Sequence, residues 1–501
     1  MLAIGIPVSL FKNNAIISKE MKKISAVLGP IGYLLILLFF KPEGLSDAGV
    51  AVLAATFLIA LWWIFEVTDI AVTALLPIVL FPLSEALSLS DTTASYGHKY
   101  IFLYMGGFFL AIAIEKWNLH KRIALNIIAL VGTSIPRIVL GFMLATAFMS
   151  MWISNTATSV MMLPIGLAII KQLKDNPHTE ENENKIFGKM LMLSIAYSAS
   201  IGGIATLFGT PPNLVFAGII KETYDVEISF AQWLSIGLPI SLLLLGIAWI
   251  YMTRFAFRLK LKEFPGGRAE ILRLRSELGP MKKGEIVVAI IFGLAALMLI
   301  LRQWLQNYIP NLDDAIIAMV AGLALCIIPS SEQEGNILNW KEAVKMPWGV
   351  LILFGGGMAL ALGFAQTGLA EWIGGKFVLL DQLPTIALIL VLIVSVNFLT
   401  EITSNLATTA MLLPILAPIA QSINVHPFLL MISATIAASC AFMLPVATPP
   451  NAVVFGSGLL TIPDMTRVGI KLNVISILLV WIFVYFLLEM ILGYSLSSYP
   501  F

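Results

Sequence analysis

The sequence predicts an all-α polytopic membrane protein with eleven transmembrane helices and two re-entrant hairpins, arranged as an inverted repeat. Three observations carry that reading. Of the 501 residues, 59% are hydrophobic and only 12% charged, whereas soluble domains carry about 25% charged and about 45–50% apolar residues. The apolar sequence divides into stretches close to the roughly 20 residues that cross a bilayer as helix. A polar pentapeptide, Ser154-Asn155-Thr156-Ala157-Thr158, returns 250 residues later as Ser404-Asn405-Leu406-Ala407-Thr408. Each copy is followed by a Met-x-Leu-Pro exit, ending at Pro164 and Pro414.

The eleven expected spans are 24–40, 48–65, 69–87, 100–116, 189–217, 231–253, 284–303, 312–328, 347–366, 427–459 and 467–493. The apolar opening, Met1 to Phe11, lacks a basic leader and reads as a short tail. Segments 133–170 and 384–421 do not fit single crossings. The first has 33 uncharged residues between Arg137 and Lys171, long for one crossing and short for two with a loop. Each holds its Ser-Asn motif near the middle, which suits two half-helices that enter and leave on one side. Such irregular backbone is tolerated only where protein or a cavity covers it. Segment 117–131 reads as a helix lying in the interface, with His120, Lys121 and Arg122 on one face; 258–279 reads similarly.

Basic residues orient the chain. Nine lie in 254–285 against four acidic ones, and Lys116, Lys121, Arg122, Arg137, Lys171 and Lys174 flank the first hairpin. With eleven alternating spans these fall on one side, which places the N-terminus in the cytoplasm and the C-terminus outside.

The 250-residue offset also aligns Gly106-Gly107 with Gly356-Gly357. Five spans separate the copies, so they face opposite ways. That is the inverted-topology plan of secondary transporters, whose site lies at the repeat interface. A second pair supports it: Gly209-Thr210-Pro211-Pro212-Asn213 interrupts the fifth span and Ala447-Thr448-Pro449-Pro450-Asn451 the tenth. Paired prolines remove amide donors and leave carbonyls unpaired. Beside a cation, those carbonyls are ligands.

Sodium is a hard cation that prefers oxygen, by the logic of calcium and magnesium. Ser150, Ser154, Asn155 and Gly209 offer such oxygens in one half, and Thr400, Thr403, Asn405 and Ala447 in the other. Helix N-termini near each Ser-Asn turn would direct positive dipole ends at a shared anion. No lysine or arginine lies in 138–170, 190–220 or 382–463, so co-bound cations and dipoles must neutralise that anion. Glu401, the one acid between Asp381 and Asp464, is a functional candidate by its position in apolar sequence. It suits tuning of the second cation site, proton binding, or a hydrogen bond to the hairpin backbone.

Other classes fit less well. An anion channel would need a continuous pore, whereas paired hairpins resemble alternating gates. An intramembrane enzyme would need an aspartate pair, a Ser-His pair or a metal cluster, and His98, His120, His178 and His426 fall in expected loops or interfaces. Cys326 and Cys440, the only cysteines, lie in apolar runs and suggest no disulfide or metal site. Nothing basic enough for nucleic acid is present.

At Trp152 to Thr158, Gly209 to Asn213, Thr400-Glu401 with Ser404-Asn405, and Ala447 to Asn451, the chain resembles the divalent anion/sodium symporter family. The resemblance covers nearly the whole sequence. It implies sodium-coupled import of a small divalent anion, most naturally a C4-dicarboxylate such as succinate or malate, with sulfate, citrate or cation-independent exchange as alternatives. It also implies a homodimer with elevator-type motion of a transport domain (132–230 and 383–501) against scaffold spans (1–131 and 231–382). By motif match the two oxygen sets above become sodium sites. Asn155, Thr156, Thr210, Asn405, Leu406, Thr448 and Pro449 become anion-lining positions. Dicarboxylate carriers of this family usually have threonine third in both Ser-Asn motifs. Leu406 departs from that pattern and removes a hydroxyl donor.

Overall fold

The computed structural model describes residues 8–132, 134–174, 181–257, 259, 267–332, 334–376 and 384–501. Among these the chain is helical, with one isolated bridge between Pro329 and Asn336. In order the helices are α1 Val8–Phe39, α2 Asp47–Ile64, α3 Ile70–Thr73, α4 Leu76–Leu83, α5 Leu89–Ala94, α6 Lys99–Lys116, α7 Leu119–Val131, α8 Ile135–Ser150, α9 Asn155–Lys174, α10 Glu181–Gly203, α11 Pro211–Tyr224 and α12 Phe230–Ile250. The second half continues with α13 Gly267–Glu277, α14 Lys283–Leu305, α15 Asp314–Ile327, α16 Trp340–Ala343, α17 Trp348–Gln366, α18 Leu369–Lys376, α19 Thr385–Leu399, α20 Asn405–Ser422, α21 Pro427–Ala438, α22 Pro449–Phe455, α23 Ile462–Ile482 and α24 Leu488–Leu492.

Nine stretches among the described residues are long and apolar enough to cross a membrane, and five shorter apolar helices accompany them. Eight of the nine fall on expected spans and the ninth is α9, the outgoing arm of the first hairpin; the expected spans that differ do so for local reasons. Segment 69–87 is split into α3 and α4 by a turn at Ala74 and Leu75. The tenth expected span, 427–459, is two short helices around a non-helical stretch at 439–448. The fifth begins earlier than expected, at Glu181, and breaks at 204–210. The expected 312–328 helix has only 14 residues.

Both Ser-Asn segments fold as helix–turn–helix units. α8 and α9 meet at 151–154; α19 and α20 meet at 400–404. Their bounds repeat at the 250-residue offset to within two residues, as do those of α6 and α17. Packing follows the same symmetry. α8 lies against α10, and α19 against α21. The outgoing arms cross over: α9 packs on α22, and α20 on α11. Each hairpin therefore meets the Thr-Pro-Pro-Asn half-helix of the other half. The equivalent glycines serve equivalent crossings, since a Cβ at Gly106 would strike the backbone of Ala318 in α15, and one at Gly356 the backbone of Ala74.

Strong caps set the starts of the helices that follow α11 and α22. Ser229 and Gln232 form a reciprocal capping box on α12, and Thr461 and Asp464 form another on α23. α10 is almost wholly buried and forms the centre of the bundle, whereas α1 and α14 keep broad apolar faces exposed, as lipid contact requires.

Candidate functional site

The first hairpin turn brings together groups from three elements. Ser150 Oγ, the last side chain of α8, lies 2.6 Å from the Ala199 carbonyl of α10 and 2.5 Å from the side-chain amide of Asn155. The same end of that amide is 3.1 Å from the carbonyls of Gly209 and Ala199. Gly203 backs this contact, because a Cβ there would run into the Asn155 amide. One hydroxyl hydrogen cannot serve every acceptor present. The Asn155 amide answers in one of two ways. Its nitrogen can donate to the carbonyls, or its oxygen can complete an all-oxygen shell that a cation would bridge.

The second turn repeats the arrangement. Thr400 Oγ1 lies 2.7 Å from Asn405 Oδ1 and 3.0 Å from the Ala438 carbonyl. Two acceptors again share one hydroxyl hydrogen. The second set is therefore rich in oxygen and short of protons, the first becomes so when the Asn155 amide turns its oxygen inward, and neither carries a formal charge. Such a set suits a monovalent hard cation.

Some expected ligands stand elsewhere. Ser154 Oγ accepts from the Ala157 amide at 3.3 Å and caps α9. Thr403 bonds within its own hairpin, to the Leu399 carbonyl at 2.8 Å and to Thr408 at 2.6 Å. Ala447 is buried in the break before α22, and its amide donates to the Leu444 carbonyl. Of the anion-lining candidates, Thr156 and Pro449 are exposed, while Thr210 and Thr448 are buried. Thr448 accepts from the Asn451 amide at 3.4 Å. Leu406 lines a small cavity with Tyr100, Tyr104, Pro211, Leu214 and Phe354. The cavity lies between α20 and residues of α6, α11 and α17, at the first half's Thr-Pro-Pro-Asn break, where α20 packs on α11.

Glu401 binds backbone, but not that of its own hairpin. Its carboxylate accepts from the amides of Phe442, Met443 and Leu444 at 2.8–3.1 Å and from Asn473 Nδ2 at 2.7 Å. Four donors satisfy a buried carboxylate without a counter-cation. They also fix the non-helical stretch that leads into the second break. Three partners went unrecognised in the sequence. The Ala199 and Ala438 carbonyls carry no residue signature, although Ser198, Ser200, Gly202 and Gly203 mark the first as a place of close backbone approach. Asn473 could have been found as a polar side chain inside an apolar span. Trp152 stacks on Phe230 (5.6 Å) and meets Phe292 edge-on (4.9 Å), which anchors the first tip.

A multi-pass helical bundle with two symmetry-related oxygen sets at paired helix breaks has the plan of a secondary transporter. The comparisons make the assignment specific. Residues 20–494 match the family model described as the sodium:sulfate symporter transmembrane region. The chain is 47% identical over 482 residues to a sodium-dependent dicarboxylate transporter, SdcS, of Staphylococcus saprophyticus, covering 95% of this chain and 93% of the relative. It is 47% identical over 494 residues to SdcS of Staphylococcus aureus, covering 96% and 95%. This chain belongs to the divalent anion/sodium symporter family, a family of transporters and not of enzymes. Its fold is similar to the YdaH transporter of Alcanivorax borkumensis (TM-score 0.55, 13% identity, 81% of this chain and 89% of that one). MtrF of Neisseria gonorrhoeae is comparable (TM-score 0.53, 11% identity, 94% and 95%).

Proposed function

We propose that this multi-pass membrane protein imports a C4-dicarboxylate such as succinate or malate together with sodium. The observation that carries the reading is the pair of uncharged, oxygen-rich sets, Ser150–Asn155–Ala199–Gly209 and Thr400–Asn405–Ala438, at equivalent turns of the repeat. The printed names of the SdcS relatives support sodium and dicarboxylate. Asn155 and Asn405 open α9 and α20, so two helix N-termini contribute partial positive charge near the anion. Sodium in each set adds the rest, and because no lysine or arginine stands in these segments, anion binding requires the cations. Thr156 is the exposed hydroxyl donor; Leu406 leaves the second motif without one.

The same reading takes the helix pairs at 135–174 and 385–422 as re-entrant hairpins among eleven spans, with the N-terminus cytoplasmic. The chain works as a homodimer in which the hairpins and broken helices move as an elevator against α6, α14, α15 and α17. Uptake of labelled succinate into proteoliposomes, with and without an inward sodium gradient, tests it. Uptake should require sodium and be competed by malate more strongly than by sulfate, citrate or aspartate. Sodium-independent counterflow would replace symport with exchange.

A further inference from the structure

The asparagines that close the two Thr-Pro-Pro-Asn motifs make no contact with either oxygen set, yet their placement is the most regular feature of the two breaks. Asn213 and Asn451 are both 0% exposed. The Nδ2 of Asn213 donates toward the carbonyls of Gly203 (3.0 Å), Ile204 (3.2 Å) and Thr206 (2.7 Å). The Nδ2 of Asn451 donates toward those of Ala441 (3.3 Å) and Leu444 (3.0 Å). Residues 203, 206 and 213 correspond to 441, 444 and 451 at one constant offset. In both side chains Oδ1 has no hydrogen-bond partner among the described residues. The amide nitrogen is the part the structure uses.

The sequence explains the need. Where a helix breaks, the last carbonyls of its incoming half lose their amide donors, and the prolines at 211–212 and 449–450 supply none. Buried carbonyls without donors are costly. The free carbonyls would then compete for any positive charge nearby. Asn213 occupies those of Gly203, Ile204 and Thr206, with Trp233 Nε1 adding a bond to Ile204 at 3.0 Å. The Gly209 carbonyl is left turned toward Asn155 at 3.1 Å. The contact between Gly203 and the Asn155 amide couples the held segment directly to the candidate ligand.

We propose that Asn213 and Asn451 are positioning residues for the two sodium sites: Asn213 fixes the unwound segment that presents the Gly209 carbonyl to the first, and Asn451 fixes the stretch that directly follows Ala438, whose carbonyl faces the second. The inference rests on the sodium-coupled reading above. It adds that cation affinity in each half depends on one buried amide that never touches the ion.

The test uses full-length protein in proteoliposomes and in detergent, with Asn213→Ala and Asn451→Ala made separately. Losing two or three buried hydrogen bonds should raise the sodium half-saturation of succinate uptake about tenfold. Succinate KM at saturating sodium should stay within about twofold. In detergent, the rise in melting temperature produced by sodium chloride over choline chloride should need correspondingly more sodium. A general structural lesion would lower uptake and melting temperature without separating the two half-saturations, and that result overturns the proposal. So does a wild-type sodium half-saturation in both variants. Asn213→Ser and Asn451→Ser, which retain a shorter donor, should fall between wild type and alanine and serve if an alanine variant does not fold. Wild-type protein that takes up succinate without sodium would overturn the symport reading itself.

Discussion

At the scale of single residues, the two halves are similar in their cation chemistry and unlike in their anion chemistry. Ser150 and Thr400 each place one hydroxyl between a side-chain amide and a helix carbonyl. The third motif position differs: Thr156 is an exposed hydroxyl, and Leu406 faces a small cavity it lines with Tyr100, Tyr104 and Phe354. Leu406→Thr exchanges that apolar side chain for a donor. A hydrogen bond to a carboxylate contributes roughly 1.5–3 kcal/mol, so succinate KM should fall at least several-fold, read from uptake at saturating sodium. An unchanged KM would remove position 406 from the anion site. Asn155, Asn405, Ser150 and Thr400 were legible as polar side chains at repeated positions in apolar sequence. The Ala199 and Ala438 carbonyls were not, because any residue type provides the same carbonyl and only the fold decides where it points.

At the scale of elements, the breaks matter more than the helices. Paired prolines made the interruptions readable, and the structure adds how each is held. Asn213 secures the first, while Asn451 and the four-donor Glu401 carboxylate secure the second. The Glu401–Asn473 pairing joins positions 72 residues apart, and nothing local announces it. Outside the spans, the segment 494–501 docks beside α21. The His426 amide donates to the Leu496 carbonyl, the ring contacts Tyr494 and Phe501, and Nδ1 accepts from the Phe428 amide. Burial pushes this imidazole down to about 4, and the cap requires its neutral form. An undocked histidine titrates near 6.5, so between those values the undocked state, with His426 uncovered, binds the extra proton. Docking is then complete above about pH 6.5 and weakens as pH falls toward 4. Amide exchange at 494–501 should accelerate over that range in wild type. Protection independent of pH would remove His426 from the contact.

At the scale of the whole molecule, helices of the proposed scaffold also pack on the hairpins and broken helices, α17 on α11 and α18 on α20. α6 packs on α15 and α14, and α17 packs on α3, while the hairpins pack on α10 and α21. The surfaces between them hold the Leu406 cavity, the Trp152 aromatic contacts and an ion-pair network. In that network Glu227, before α12, meets Lys99 of α6 at 2.7 Å and Arg302 of α14 at 2.5 Å. If the hairpins travel as a body, cross-linking across the cavity must stop transport. Ile101→Cys with Leu406→Cys, in a background lacking Cys326 and Cys440, should lose uptake on treatment with a short bis-thiol reagent. The corresponding single-cysteine variants should be spared. Full transport by the cross-linked pair would exclude relative movement of α6 and the second hairpin. Helix order and the repeat were readable from hydropathy and spacing. The crossed packing of α9 on α22 and α20 on α11 was not, because both arms are apolar on most faces and periodicity cannot name a partner.

If two equivalent oxygen sets bind sodium and make the anion site competent, transport must depend on sodium through both. Sodium titration of succinate uptake in proteoliposomes, for wild type, Ser150→Ala and Thr400→Ala, tests it most directly. The account predicts a sigmoidal dependence in wild type. Each variant should need at least about tenfold more sodium for half-maximal uptake and follow a less cooperative curve, while succinate KM at saturating sodium changes little. Wild-type sodium dependence in both variants would contradict it.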